Sequence, residues 1–352
     1  MKALKFAGVH VLAIIAMVGF ALGGGWMWLG GLCIWATATF MDHVLDEDHE
    51  GQGVEDGPVT DALLYAALPL GLGNVALFAA KVDTAGVFGL VGGVLTLGFL
   101  LGAFGTVVAH ELIHRVHRKF DRLAGIAILG ATFDTYFAYS HPWGHHRYVA
   151  TKMDTSTARV GENAYQFAWR SATDSWAQGM EIGARFAKNR YGENAPIWRN
   201  PVVWQHVFSL PWLILALVFG GWLGLGLVVL AGLLGKLLLE LVNYIEHYGI
   251  TRQVGNKVEP YHSWNSAKFG SQYLLFNLSR HSDHHADGMK HYPTLVSDQD
   301  FPTLPHGYLT MIIVALFPPL YFKMMRDPLQ RWNMAHGKAM RSTPDQIDLY
   351  NT

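Results

Sequence analysis

The residues best suited to chemistry are histidines, and half of the chain's eighteen lie in four short segments. Arg280-His281-Ser282-Asp283-His284-His285 carries three of them. In a helix, positions i, i+3 and i+4 share a face, so His281, His284 and His285 would point the same way. His110-Glu111-Leu112-Ile113-His114 places two more at i and i+4. His141-Pro142-Trp143-Gly144-His145-His146 is a third cluster. A residue before proline is pushed out of the α region and proline suits a first helical turn. The spacing therefore predicts His141 at a helix start, with His145 and His146 one turn in. His247 stands singly in Asn243-Tyr244-Ile245-Glu246-His247-Tyr248-Gly249. Imidazoles gathered on one face pack poorly and bind metal well.

These nine residues exceed the four ligands of a closed zinc site and suit two ions. All-nitrogen ligation fits iron, copper or zinc better than magnesium or calcium. Glu111 to His114 matches the ExxH of soluble di-iron bundles, but the full paired glutamate pattern of those bundles is absent. HELIH also reads as a zinc-protease helix with Glu111 as general base, but an intramembrane metallopeptidase leaves seven histidines unexplained. A metal transporter would bind near the bilayer midplane, whereas these histidines cluster at the ends of apolar segments.

Positioning them falls to membrane helices. The chain has 352 residues, 51% hydrophobic and 15% charged, with a mean hydropathy of +0.19; soluble domains carry about 25% charged residues. The net charge of −1 gives no basic excess for a nucleic acid. The one cysteine, Cys33, excludes an internal disulfide and any CxxC metal or iron–sulfur site. Apolar runs long enough to span a bilayer, about 20 residues each, lie near 6–23, 25–41, 60–80, 85–109, 202–221 and 223–243. The first resembles a secretory signal but reads as a retained helix, because a second apolar run follows at once. The pattern predicts one all-α integral membrane domain over 1–352, with six transmembrane helices and a histidine-rich cap.

The long polar segments 42–59, 110–200 and 244–352 then share one side. Most Lys and Arg lie in them or at the N-terminus, Lys81 and Lys236 excepted, so the positive-inside rule places both termini and the cap in the cytoplasm. Asp42 to Asp56, with seven acidic residues and no basic one, reads as a solvated loop. Lys236 and Glu240, at i and i+4, read as an ion pair. The stretch 306–322, broken by Pro318-Pro319, reads as an interfacial or re-entrant helix. Gly71-Leu72-Gly73 lacks the third glycine of a dinucleotide fingerprint.

The array resembles the membrane-bound, histidine-rich di-iron hydroxylases, most closely the alkane 1-monooxygenase family. The matching stretches are His110–His114, Gly144–Thr151 (GHHRYVAT), Asn243–Gly249 (NYIEHYG), His262–Ser266 (HSWNS), Leu278–Ala286 (LSRHSDHHA) and Thr303–Tyr308 (TLPHGY). The resemblance covers most of the chain from about residue 60, and HSDHHA and NYIEHYG are its specific motifs. It implies nine iron ligands: His110, His114, His141, His145, His146, His247, His281, His284 and His285. It implies two Fe ions and O2-dependent hydroxylation of a terminal methyl C–H, with a medium-chain n-alkane giving the 1-alkanol. Desaturases and carotenoid hydroxylases share the histidine-rich logic.

Ile113 replaces the family's glycine in the first motif, and Pro142-Trp143 replaces a polar pair in the second. Both are expected near the substrate cavity, which keeps an alkylaromatic methyl substrate of the xylene type open. His262, Glu246 and Asp283 are candidates to orient the ligating rings from behind, while His117, His206, His291, His306 and His336 have no expected metal role. A hydrocarbon has no polar handle, so its site should be an apolar tunnel among the spans. Trp35 and Phe40 read as lipid contacts before tunnel walls. With no cysteine pair for a rubredoxin or iron–sulfur centre and no dinucleotide fingerprint, the chain needs a separate electron donor, which the resemblance implies is rubredoxin, or a ferredoxin-type protein, with its NAD(P)H reductase. Arg115, Arg118, Lys119 and Arg122 are candidates to dock an acidic carrier or anionic lipid. The implied location is the bacterial inner membrane.

Overall fold

The computed structural model describes residues 2–49 and 54–336. Glu50, in the acidic run, lies outside them. The described chain is helical, and its only β-structure is two isolated bridges, Glu47 with Lys268 and Asn265 with Thr303. Among the described residues, four helices are long and apolar enough to cross a membrane: Lys2–Leu22, Pro58–Ala79, Gly86–His114 and Pro201–His247. In lipid the backbone must satisfy its own hydrogen bonds, which apolar sequence of this length does as helix. The segment expected at 25–41 is a 3-10 turn, Gly24–Trp28, followed by a helix of 16 residues, Leu29–Val44.

The last long helix has 47 residues, roughly 70 Å if straight and more than twice a bilayer core. It is not straight. Gly221 breaks it with φ 58°, a left-handed conformation that glycine tolerates. Gly130 abuts Phe208 and its neighbour Ala131 abuts Gly232, so chain on either side of the break returns to one place. This is a helical hairpin, with one arm on either side of Gly221.

The span Gly86–His114 widens into a π-helix over Leu100–Gly105 before Thr106–His114. There Gly102 and Gly235 touch backbone to backbone; a Cβ on Gly102 would lie 2.8 Å from the Gly235 Cα. Small residues at a helix crossing allow that approach, and it brings the ends of the two helices, with His114 and His247, to one side. A long helix, Ala164–Tyr191, packs outside the second arm of the hairpin.

Several sequence expectations are corrected. The acidic run is a clamp. Asp42 is buried and accepts from the Ser271 amide and hydroxyl, both at 2.9 Å. Glu47 pairs with Lys268 at 2.9 Å, Asp48 accepts from Tyr273 Oη at 3.0 Å, and Asp56 meets His291 at 2.5 Å. These carboxylates tie the segment to the chain on either side of His281–His285. Lys236 reaches past Glu240 to bond Asp134, buried on a neighbouring loop, and Tyr136 Oη at 2.6 Å. A buried lysine needs a buried anion, and Asp134 supplies it. The stretch 306–322 is two helices, Tyr308–Ala315 and Pro318–His336, with the first mostly buried against the hairpin.

Candidate metal centre

Four elements deliver the nine histidines. His110 and His114 end one long span and His247 ends another. His281–Ala286 is a short buried helix, as its spacing predicts. The third cluster differs. His141 does not start a helix: Phe137–Ser140 precedes it, His141 keeps φ −74° and ψ −60°, and His141–His145 winds as a π-helix with Pro142 inside. The wider turn accommodates proline without expelling its predecessor from the helix.

The nine side chains fall into two groups, each with donor atoms within 4.8 Å of one another. One holds His110, His114, His141, His146 and His284; the other holds His145, His247, His281 and His285. The two short helical segments feed both groups, because adjacent residues such as His284 and His285 diverge. Each long span then completes one group. The groups share a wall, where the His146 and His285 rings stack with centroids 4.3 Å apart.

Within each group the Nε2 atoms converge. His146 Nε2 lies 3.1 Å from those of His141 and His284, and His281 Nε2 lies 3.1 Å from that of His247 and 3.0 Å from that of His285. The Nε2 atoms of His110, His114 and His145 are buried with no hydrogen-bond partner, which costs about 1–3 kcal/mol each when nothing fills the space. Burial first, and then neighbouring imidazoles, hold His141, His146, His281, His284 and His285 well below their ordinary pKa. They are neutral near pH 7 and present lone pairs. Two ions bonded at about 2.0–2.1 Å fit these donors.

The carboxylate behind a ligand is one the sequence reading missed. Asp154 is buried, and its two oxygens accept from His145 Nδ1 at 3.0 and 2.9 Å. Thr157 Oγ1 donates to it at 2.6 Å and the Ser156 amide at 3.1 Å. Burial alone would raise this carboxyl, but His145 and Thr157 leave it below its ordinary value. The run Asp154-x-Ser156-Thr157 is a weak signal, since such residues make turns in any loop.

The three sequence candidates take other places. Asp283 binds Lys290 Nζ at 2.7 Å and the Val296 amide at 2.9 Å, fixing the following loop. His262 accepts from the Glu259 amide at 2.9 Å and caps a turn. Glu246 approaches His281 at its inner Nε2, 3.3 Å away, and so lies in front of the ring. Glu111 is held by Arg115 at 3.2 Å and by the Tyr292 amide at 3.2 Å, which removes it as a peptidase base. His117, His206, His291, His306 and His336 belong to neither group.

A cavity of about 20 Å³ adjoins both groups, with room for about one water-sized molecule. Val107, Phe137, Leu239, Val242 and Leu278 line it beside His110, His141, His281 and Glu246. Ile113 and Trp143 do not. Ile113 packs on Gly125, and Trp143 packs with Tyr139, Phe186 and Arg122, so neither departure from the family pattern faces this cavity. Trp35 and Phe40 are exposed on the outer surface. The basic cluster is also mostly committed: Arg115 is buried among Asp61, Glu111 and Asp121, Arg118 pairs with Asp61, and Arg122 stacks on Tyr139.

Residues 85–315 match the fatty acid desaturase family model. Alkane 1-monooxygenase 1 of Pseudomonas aeruginosa is 35% identical over 300 residues, covering 81% of this chain and 76% of that protein. Alkane 1-monooxygenase 2 of the same organism is 33% identical over 343 residues, covering 92% and 90%. The xylene/toluene monooxygenase hydroxylase component of Pseudomonas putida is 27% identical over 362 residues, covering 99% and 94%. The chain belongs to the alkane 1-monooxygenase family, within the wider fatty acid desaturase family.

Proposed function

We propose that the chain is a membrane monooxygenase that hydroxylates a terminal methyl group of a hydrocarbon, with a medium-chain n-alkane as substrate and the 1-alkanol as product. The carrying observation is the division of nine histidines, eight of them buried, into groups of five and four around a shared wall. His110, His114, His141, His146 and His284 would hold one iron, and His145, His247, His281 and His285 the second. When bound, the two irons supply O2 activation and attack on an unactivated C–H bond. The protein supplies position and exclusion of water. Val107, Phe137, Leu239, Val242 and Leu278 offer an apolar seat for a methyl group beside both groups. Asp154 fixes the His145 ring so that its inner nitrogen faces the site.

The proposed topology has six crossings, taking the Gly221 hairpin as two and Leu29–Val44 as one. Both termini and the histidine cap lie in the cytoplasm of a bacterial inner membrane, and 1–352 forms one hydroxylase domain. Electrons come from rubredoxin, or a ferredoxin-type donor, with its NAD(P)H reductase. Full-length similarity to the xylene/toluene component supports an alkylaromatic methyl as the alternative substrate. The test is turnover of octane and of p-xylene by the iron-loaded protein with O2, rubredoxin and reductase. Terminal alcohol from octane supports the reading; oxidation of neither, with iron bound, overturns it.

A further inference from the structure

A second cavity, about 860 Å³, lies between Ala164–Tyr191 and the second arm of the hairpin. Its size is that of a small-molecule site. Phe133, Trp169, Trp176, Leu233 and Leu237 form apolar walls, and the rim at Trp169, Trp176 and Leu233 is exposed. The floor is polar: Tyr136, Lys236 and Glu240. Lys236 is bonded to Asp134 and Tyr136. Glu240 is 3% exposed, and its Oε2 has no hydrogen-bond partner.

The floor selects the ligand. An unpaired buried acceptor asks for a donor. A hydrocarbon has none. An anionic head would face Glu240 and Asp134, while the nearest cation, Lys236, is already taken by Asp134. A hydroxyl on an alkyl chain satisfies both halves, with the tail on the aromatic walls and the O–H donating to Glu240 Oε2.

The groove also backs onto the reaction cavity. Tyr136 faces the groove and its neighbour Phe137 the cavity; Glu240 lies within reach of Asn243, which lines the cavity. One residue layer separates them. We infer that this groove holds a primary alkanol, the product on its way out, with the hydroxyl on Glu240. The inference rests on the proposed hydroxylation for the source of the alkanol, though not for the binding itself.

The test is photo-crosslinking of the iron-loaded full-length chain in detergent with diazirine-tagged decan-1-ol, and peptide mapping. Label is expected around Trp169, Trp176 and Leu233, displaced by decan-1-ol but not by decane or decanoate. Glu240→Leu should cut labelling about tenfold, as loss of one hydrogen bond to a buried acceptor does. Glu240→Gln, which keeps an acceptor oxygen, should restore most of it. Leu233→Trp, at the exposed rim, should block the groove with folding intact. Equal labelling by tagged decane, no response to Glu240→Leu, or displacement by phospholipid or decylamine as readily as by decanol would overturn the inference. A chain that labels but oxidises no hydrocarbon sinks the oxygenase reading alone. One that oxidises octane and takes no label sinks the groove alone.

Discussion

Replacing Asp154 by Asn should loosen one metal position and spare the other. The carboxylate is buried and takes three donors: His145 Nδ1 on both oxygens, the Ser156 amide on Oδ1 and Thr157 Oγ1 on Oδ2. An amide of the same shape loses the charge and one accepting oxygen. Either His145 turns to keep its partner, or Thr157 faces an N–H. Loss of such a partner weakens metal affinity about 10–100-fold, or about 1.4–2.7 kcal/mol. The effect should fall on the group containing His145, His247, His281 and His285. The assay is iron content after purification, followed by release to a chelator under anaerobic conditions. Wild type should release both irons slowly. Asp154→Asn should show a fast phase of half the total, with the remainder at the wild-type rate. Asp283→Asn is the control, because its partners are Lys290 and Val296; it should lower the unfolding temperature and leave iron release unchanged. Wild-type release from Asp154→Asn would refute the assignment of this carboxylate.

Other perturbations follow from the same contacts. Arg115→Met strips the cation from buried Asp121 and Glu111 and should cost about 3–5 kcal/mol, read as a large drop in thermal midpoint in detergent. Ile113→Gly restores the family residue but empties a packed site against Gly125; it should lose about 2–5 kcal/mol of stability and leave the product profile from octane and p-xylene unaltered. His262 is pushed down to about 4 by burial and by the charges of Arg252 and His336. Since the unfolded side chain titrates near 6.5, stability is lost as pH falls from about 6.5 to 4, by about 2–3 kcal/mol after allowing for screening. His262→Gln keeps an acceptor for the Glu259 amide, so its thermal midpoint should fall less than wild type between pH 7 and pH 4.5.

The histidine array was legible because helix geometry turns spacing into direction. His110 with His114, and His281 with His284 and His285, each share a face by arithmetic, and the apolar runs place those faces at span ends. What spacing omits is which face meets which. The two groups each draw on both short helical segments, and His141–His145 winds as a π-turn with Pro142 inside, which no local preference announces. Ion-pair partners were misjudged for a related reason. Glu240 is near Lys236 in sequence, but Asp134 is the buried anion across the helix contact. Arg115 and its neighbours read as a docking patch, yet Arg115 is drawn inward by Asp61, Glu111 and Asp121. Local order suggests partners at i+4, whereas burial decides them through space. Asp154 has the same origin: its role exists only once its loop folds against His145.

The central claim is two metal positions of five and four imidazoles. The direct measurement is metal content per chain by mass spectrometry, for wild type and for His114→Ala and His247→Ala, one from each group. About two irons are expected in wild type and about one in each variant, retained by the intact group. One zinc and no iron, or a wild-type count in either variant, would contradict that claim.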